Sequence, residues 1–275
     1  MTPSPHVDNR AASRPAPHAV AAPVLRLCGT GQDLLGLLGV PGEDPVRERT
    51  IAVRLRRLPA RATLFFEGSP AEAIYVVRTG TFKCFRTDGD GGEQVLGFAR
   101  RGDVLGYGAL ALGRYSSRAS ALEPASVATV PLADLFVWTR RLPILERALH
   151  QALSLQHARH EELADVRAMV PAEVRLARVL LHWSNRMAIG GRSMHQLKLS
   201  MSRRDIARLV GVAHETVSRA FAALAARGCI AVTGRTVDIL DPAALLDAAR
   251  SPIALQPRPT CAATRSAPHH APATP

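Results

Sequence analysis

Hydrogen-bonding side chains recur at helical spacing in the segment 214–226, which the sequence predicts to be a helix. One stripe of this helix carries Glu215, Ser218 and Arg219, and the stripe about 200° away is apolar. The apolar residues are Val217, Ala220, Phe221 and Leu224. Arginine can donate two hydrogen bonds to guanine, and glutamate can accept one from the amino group of cytosine or adenine. The pattern favours a helix that reads base edges over a polar face that merely contacts water.

A second helix is predicted directly before this one, and a tight turn joins the two. Ser202 can accept a hydrogen bond from the backbone N–H of Asp205, whose negative charge suits the first turn of a helix. Gly211 suits the turn, because glycine enters the left-handed conformation at little cost. The two segments therefore predict a helix-turn-helix.

The flanking sequence adds positive charge to this unit. The first helix contributes the basic side chains Arg203, Arg204 and Arg208. Segments 229–232 and 236–240 predict a hairpin, and Arg235 lies at its tip. This hairpin has the shape of a wing beside the helix-turn-helix, and the arginine at its tip can contact a DNA phosphate.

Segment 49–137 consists of short apolar runs separated by glycine turns, such as the turn at 88–92. Many short strands at this spacing predict a small β-barrel or β-roll. From Pro143 to about residue 169 the pattern becomes helical, and a further helix is predicted over 172–188.

The long helix carries a stripe with alternating spacings of four and three residues. Its members are Leu145, Leu149, Ala152, Gln156, Arg159, Leu163, Val166 and Val170. This spacing is typical of a coiled-coil seam and favours pairing of the helix with a copy of itself. The alternative is that the helix packs on the β-domain and its polar positions face water.

Composition points to the same class of partner. The chain has 35 Lys and Arg against 23 Asp and Glu, a net charge of +12, which favours a polyanion such as nucleic acid. The four cysteines (Cys28, Cys84, Cys229 and Cys261) form no Cys-x-x-Cys pair, which argues against a disulfide framework or a zinc motif. No apolar run is long enough for a membrane span, and no secretory signal is recognisable. We expect a cytoplasmic protein with no membrane partner.

Three stretches resemble the CRP/FNR family of transcription regulators, and its FNR branch in particular: segments 199–219, 93–106 and 75–80. The resemblance covers roughly residues 49–240. It implies an α+β fold with an N-terminal β-roll of the cyclic-nucleotide-binding jelly-roll type, a long dimerisation helix and a C-terminal winged helix-turn-helix. The domains expected are a disordered tail (1–23), a β-roll sensor domain (24–137), the dimerisation helix (138–170), the DNA-binding domain (171–248) and a second disordered tail (249–275).

The resemblance also implies partners and contacts. It implies a homodimer on double-stranded DNA that meets RNA polymerase and binds a palindrome of TTGAT-like half-sites. Glu215, Ser218 and Arg219 would read bases, and His214 could contact a base edge or a phosphate. Backbone contacts would come from Ser202, Arg203, Arg204, Thr216 and Arg235.

This chain departs from the family in its sensor. An iron–sulfur cluster of the FNR type needs four cysteine ligands, most of them near the N-terminus, and only Cys28 lies there. Ala128 stands where the ligand in the last β-roll strand would fall. We therefore expect no 4Fe-4S cluster, and we expect no other metal, since His157 and His160 lack a matching ligand.

The cyclic-nucleotide site departs as well. In the cAMP-binding branch a Glu binds the ribose and an Arg binds the phosphate, whereas Tyr107 and Ser117 fall at those places here. Arg118 is one residue further, and a shift of one residue along a strand turns a side chain to the opposite face. A loop of different length would restore Arg118. We expect no cAMP binding.

The recognition helix itself lacks the usual cap. Ala213 occupies the N-cap position, and the loss of a hydroxyl there costs about 1 kcal/mol. His214 could offset part of this loss through a contact to DNA, or it could be an exposed histidine without a role.

Two alternatives remain at this point. The first is an effector-dependent sensor that binds DNA only when its β-roll holds haem or a metabolite, or after thiol chemistry at Cys84. The second is an enzyme with a DNA-binding appendage. The β-region shows no catalytic constellation, so we expect no enzymatic activity.

Overall fold

The structure is a computed structural model that describes residues 27–44, 48–89, 91–166, 170–189 and 194–250. The N-terminal half is built from short antiparallel strands. They are β1 (Leu27–Thr30), β2 (Ala52–Leu58), β3 (Thr63–Phe65), β4 (Ala73–Thr79), β5 (Phe82–Thr87), β6 (Glu93–Ala99), β7 (Val104–Leu105), β8 (Arg118–Ala121) and β9 (Ala125–Pro131). Within the described residues one sheet has the order β1–β2–β9–β4–β7, and the other has the order β3–β8–β5–β6. This is the expected β-roll.

The two sheets enclose an aromatic core. Phe65 and Tyr115 stack with their ring centroids 4.1 Å apart, and Tyr75 lies 5.8 Å from Phe65. The hydroxyl of Tyr115 donates to the carbonyl of Ala73 over 2.7 Å, so its polar end is satisfied inside the core. Turn glycines such as Gly80, with φ at 81°, let the strands reverse tightly.

Helices cover the outer face of the five-stranded sheet. They are α1 (Gly31–Leu37), α3 (Leu132–Arg141) and α4 (Pro143–Val166), whereas the short helix α2 (Ala109–Leu112) buries Ala109 in the core between the sheets. The sequence predicted α4 but missed α1, α2 and α3. The boundary predicted between residues 137 and 138 therefore falls inside α3, since the β-domain passes into this helix directly from β9.

The face of α4 that was predicted to pair with a second copy is turned towards the chain's own β-domain. Leu145 and Leu149 are buried in a cluster with Ile74 and Val104. The side-chain amide of Gln156 accepts from the backbone N–H of Val104 and donates to its carbonyl, both over 3.1 Å. The seam assignment is wrong for these residues, because their partners lie in the same chain. The side chains of 163–166 lie outside the described residues.

The C-terminal half is a winged helix-turn-helix. Its elements are α5 (Ala172–Ile189), β10 (Gln196–Lys198), α6 (Arg203–Val210), α7 (His214–Ala226), β11 (Ile230–Thr233), β12 (Thr236–Ile239) and α8 (Pro242–Ala249). The three strands form a sheet in the order β10–β12–β11. Its first strand, β10, and α8 were not predicted. α8 reaches Ala249, the first residue of the predicted C-terminal tail, which is buried.

The two halves share a core and an ionic contact. Phe85, Val95 and Phe98 of the β-roll belong to the same apolar cluster as the helices of the C-terminal half. Beside them, Lys83 lies 2.7 Å from Glu93 and 3.2 Å from Asp205 of α6. Helix α6 is therefore docked on the β5–β6 hairpin.

The predicted architecture of β-roll, long helix and winged helix-turn-helix is confirmed. Residues 1–26 and 251–275, which contain nearly all of the two predicted tails, lie outside the described residues. In the part of the chain that is described, no helix is both long and apolar enough to cross a membrane.

Candidate nucleic-acid interface

Helix α7 has the two faces that its sequence predicts. Val217, Ala220, Phe221 and Leu224 are buried in the core of the domain. On the other side, Glu215, Ser218 and Arg219 are exposed. The helix thus presents a carboxylate, a hydroxyl and a guanidinium to solvent, close to its N-terminus.

The turn that sets the direction of α7 is fixed by two local devices. Ser202 and Asp205 form a capping box at the start of α6, in which the Ser202 hydroxyl accepts from the Asp205 N–H over 3.1 Å. Gly211 ends α6 with φ at 72°, in the left-handed region. Arg175 of α5 donates to the carbonyl of Val210 over 2.9 Å and ties the turn to the domain core.

The N-terminus of α7 is open. Ala213 is the N-cap, and its methyl group cannot accept a hydrogen bond from the first turn. His214 is exposed at the first helical position. The hydroxyl of Ser218 donates to the His214 carbonyl over 3.1 Å, which leaves its oxygen to act as an acceptor.

The residues expected at the DNA backbone fall into two groups. Arg204 and Arg235 are exposed, and Thr216 is half-buried. Ser202 is exposed as well, although its hydroxyl is already held in the capping box. Arg203 differs, because its guanidinium lies 3.2 Å above the ring of Phe221 and burial lowers its pKa.

Arg208 lies apart from this surface. Its guanidinium pairs with Glu93 of the β-roll. The sequence grouped Arg208 with Arg203 and Arg204 as one basic cluster, but the docking of α6 on the β-roll divides the three. This could not be read from the sequence, because the partner is 115 residues away.

A cavity of about 250 Å³ lies between the β-roll and α4 and extends to α5. Tyr107 and Ser117 line it. Arg118 does not: its guanidinium donates to Thr63 over 2.7 Å and lies 4.9 Å above the ring of Phe66. The loop does not restore Arg118 to the phosphate position, since the side chain is engaged outside the cavity.

Charged groups from three elements meet at the wall of this cavity. Asp103 is buried and accepts from Arg159 of α4 over 3.2 Å and from Arg186 of α5 over 2.6 Å. His160 and His182 also line the cavity, and burial lowers the pKa of both imidazoles. This role of Asp103 could not be predicted from the sequence, because its partners Arg159 and Arg186 lie 56 and 83 residues away.

The cysteines are dispersed in the structure. Cys28 is exposed on β1, and Cys229 is buried in the DNA-binding domain. Cys84 lines the cavity, and burial, aided by the nearby Asp103 carboxylate, raises the pKa of its thiol to about 12. Ala128 is buried in β9 between β2 and β4. In the described part of the chain, no group of three or more His, Cys, Asp or Glu side chains is arranged to hold a metal ion.

Comparison with known families agrees with this division. Residues 174–248 match the family described as Crp-like helix-turn-helix domain. Residues 55–138 match the family described as cyclic nucleotide-binding domain. The two matches cover the winged helix-turn-helix and the β-roll respectively.

Curated relatives and solved structures are similar over most of the chain. The transcriptional activator protein Anr of Pseudomonas aeruginosa is 33% identical over 204 residues, which cover 74% of this chain and 84% of that protein. The fumarate and nitrate reduction regulatory protein of Escherichia coli K12 is 30% identical, with 69% and 76% covered. The structure of FixK2 from Bradyrhizobium japonicum superposes with a TM-score of 0.64 at 26% identity, with 72% and 98% covered.

Proposed function

The chain belongs to the CRP/FNR family of DNA-binding transcription regulators, and we propose that it acts as a homodimer whose α7 helices read a palindrome of TTGAT-like half-sites. Glu215, Ser218 and Arg219 are the proposed base-reading residues, with His214 beside them. Two-fold symmetry would place the two α7 helices in successive major grooves, about 34 Å apart.

The exposed polar stripe of α7 carries this proposal. A helix face that only contacts water requires no particular side chains. This face places two hydrogen-bond acceptors, Glu215 and Ser218, beside the bidentate donor Arg219, within two turns of the uncapped N-terminus. Around it, the exposed Arg204 and Arg235 are placed to contact phosphates, and the N–H groups of the uncapped first turn of α7 can also bind a phosphate. Arg203 stacks on Phe221 and is proposed mainly to hold α6 against α7, with only the edge of its guanidinium contacting DNA.

The test is the binding of the purified full chain to a fluorescent duplex with two TTGAT-like half-sites and to a scrambled duplex, at near-physiological salt. We expect selective binding to the palindrome. Arg141→Ala removes an exposed arginine of α3, outside the helix-turn-helix, and serves as the control that keeps this selectivity. Equal binding of both duplexes, with and without cell extract as a source of effector, would contradict the proposed reading of bases.

The dimer contact is proposed to use a different face of α4 from the predicted seam. Gln151, Leu155, Ala158 and Glu162 are exposed at spacings of four, three and four residues. Leu155 leaves 49% of its surface exposed and so offers apolar area on this face that a partner can cover. We propose that a second copy covers this face, because Leu145 and Leu149 are already buried in their own chain.

A second candidate function is effector-dependent sensing, and the 250 Å³ cavity favours it. The cavity touches the β-roll, the long helix and α5, so a small molecule in it would contact all three at once. We propose a ligand other than cAMP, because Arg118 points away and Tyr107 replaces the ribose-binding Glu. Thiol chemistry at Cys84 is disfavoured, since a thiol with a raised pKa stays protonated at neutral pH.

We propose that the chain holds no 4Fe-4S cluster, since the positions of Cys28, Cys84 and Cys229 are far apart in the fold and Ala128 fills a core position. The proposed effector of the β-roll cavity is haem or a metabolite. We further propose that the protein acts in the cytoplasm, contacts RNA polymerase and has no enzymatic activity of its own.

A further inference from the structure

A second concavity of about 620 Å³ opens between the two halves of the molecule. The β-roll contributes the turn that ends β4 and the segments after β6 and β8. The C-terminal half contributes the end of α5 and the strand β10. This interdomain cleft is separate from the β-roll cavity, although Arg186 lines both.

The interdomain cleft is strongly basic. Its cationic residues are Arg78, Arg100, Arg101, Arg186 and Lys198. The acidic residue that lines it is Glu123, and this carboxylate already accepts hydrogen bonds over 2.8 Å from the hydroxyls of Thr81 and Ser200. Because five cationic side chains outnumber this carboxylate, the cleft presents positive charge to whatever enters it.

Structural roles account for part of this charge only. Arg186 is held by Asp103, and Arg100 lies 5.9 Å above the ring of Trp183. Arg101 donates through Nη1 to the backbone carbonyl of Arg78. A carbonyl is neutral, so this hydrogen bond does not balance the charge of the Arg101 guanidinium. Arg78, Arg101 and Lys198 are all exposed. A concave surface lined by one sign of charge focuses its field and concentrates counter-ions.

We propose that the interdomain cleft binds a small ligand with several phosphate groups. Arginine guanidinium groups match the oxygens of phosphate in pairs, and lysine adds a compact charge. The volume lies in the range of small-molecule sites. The concave shape between two domains suits a compact ligand better than a duplex, which needs a long open surface.

Such a ligand would bridge the two halves of the chain. Arg78 and Arg101 belong to the β-roll, whereas Lys198 lies on β10 in the DNA-binding half. A polyphosphate held by both sides would strengthen the docking of α6 on the β-roll, since the hydroxyl pair of Thr81 and Ser200 spans the same gap over 3.3 Å. This proposal does not depend on which bases α7 reads.

The test is isothermal titration calorimetry of the full chain with inorganic triphosphate at moderate salt. We expect saturable binding with one site per chain. Arg101→Gln and Lys198→Gln should each weaken it by about tenfold or more. Arg101→Lys keeps the charge but loses the paired donors, so its affinity should lie between those of the wild type and Arg101→Gln. Arg141→Gln, which removes the same charge from an exposed site on α3, should leave the affinity unchanged. Thermal melting of each variant without ligand checks that it is folded.

Three other kinds of result would overturn the proposed phosphate site. Equal weakening by Arg141→Gln, or no saturation, would mean general attraction to a basic protein and would overturn the proposed site. Loss of triphosphate binding in Arg204→Ala, but not in the two cleft variants, would place the phosphate on the DNA-binding face instead. If non-specific duplex DNA competes with triphosphate, and Lys198→Gln weakens both, the phosphates bound there are those of DNA and the small-ligand proposal fails.

Discussion

Two helices of this protein, α4 and α7, have the same kind of sequence pattern but were interpreted differently. Each carries an apolar stripe and a polar one. In α7 the apolar stripe was assigned to the domain core and the polar stripe to DNA, and the structure buries the first and exposes the second. In α4 the apolar stripe was assigned to a second copy of the chain, and the structure buries Leu145 and Leu149 in the β-domain.

The difference shows what an apolar stripe does and does not predict. Both stripes pack against apolar surface of their own chain, the domain core for α7 and the β-domain for α4. They are therefore not free to bind a partner. What remains exposed is then the candidate for contact with a partner: Arg219 and its neighbours on α7, and the stripe through Leu155 on α4. Four changes test this comparison, beginning with the largest expected effect.

The largest effects are expected from aspartate substitutions on the two faces of α4, at the buried Leu149 and at the exposed Leu155. Leu149→Asp places an unpaired charge in the core and should lower the free energy of unfolding by at least about 3 kcal/mol. Leu155→Asp should leave the chain folded, as judged by circular dichroism, but monomeric in sedimentation. A folded Leu149→Asp monomer together with a dimeric Leu155→Asp variant would restore the original seam.

The next effect concerns the exposed stripe of α7. Arg219→Ala should cost about 1–3 kcal/mol in binding to the palindrome and should relax specificity at a single base pair of each half-site. The measurement is a competition series with every base pair of the half-site changed in turn. Uniform weakening across all sequences would make Arg219 a phosphate contact and would contradict its reading role.

A smaller effect should separate two arginines of the same helix. Arg204 is exposed and is proposed to contact a phosphate, so Arg204→Ala should lower the slope of log affinity against log salt by roughly one. Arg208 is paired with Glu93, and Arg208→Ala should leave the slope nearly unchanged. The same loss of slope in both variants would argue that α6 leaves the β-roll when the protein meets DNA.

The smallest effect is a pH dependence that arises beside α4. Burial lowers the pKa of His182 although the Glu162 carboxylate opposes this, so the folded state takes up a proton less readily than the unfolded chain, whose histidine pKa is about 6.5. The contribution of His182 to the free energy of unfolding should therefore be greatest above about pH 6.5 and should decrease as the pH falls below it. Urea titrations at several pH values measure the fall, which should shrink in His182→Gln. The exposed His150 on the neighbouring helix α4 provides the control, and an equal reduction in His150→Gln would contradict the assignment of the pH dependence to His182.

Much of the DNA-binding half could be predicted from the sequence. The limits of α7, the capping box at Ser202 and the left-handed Gly211 all follow from residues within a few positions of one another. Such features depend on backbone conformation and on hydrogen bonds inside one turn, and these act over the same short range as the sequence pattern. The type of each helix and the division of its faces are decided locally for this reason.

The surroundings of each face were decided only by the tertiary structure. Asp103 joins Arg159 and Arg186 across 56 and 83 residues, and Arg208 finds Glu93 across 115. The basic interdomain cleft exists because residues from several stretches of the chain, between Arg78 and Ser200, meet where the two halves pack together. A sequence shows which side of a helix is apolar, but what that side touches depends on how the sheets and helices pack, and this packing is the sum of many contacts between distant residues.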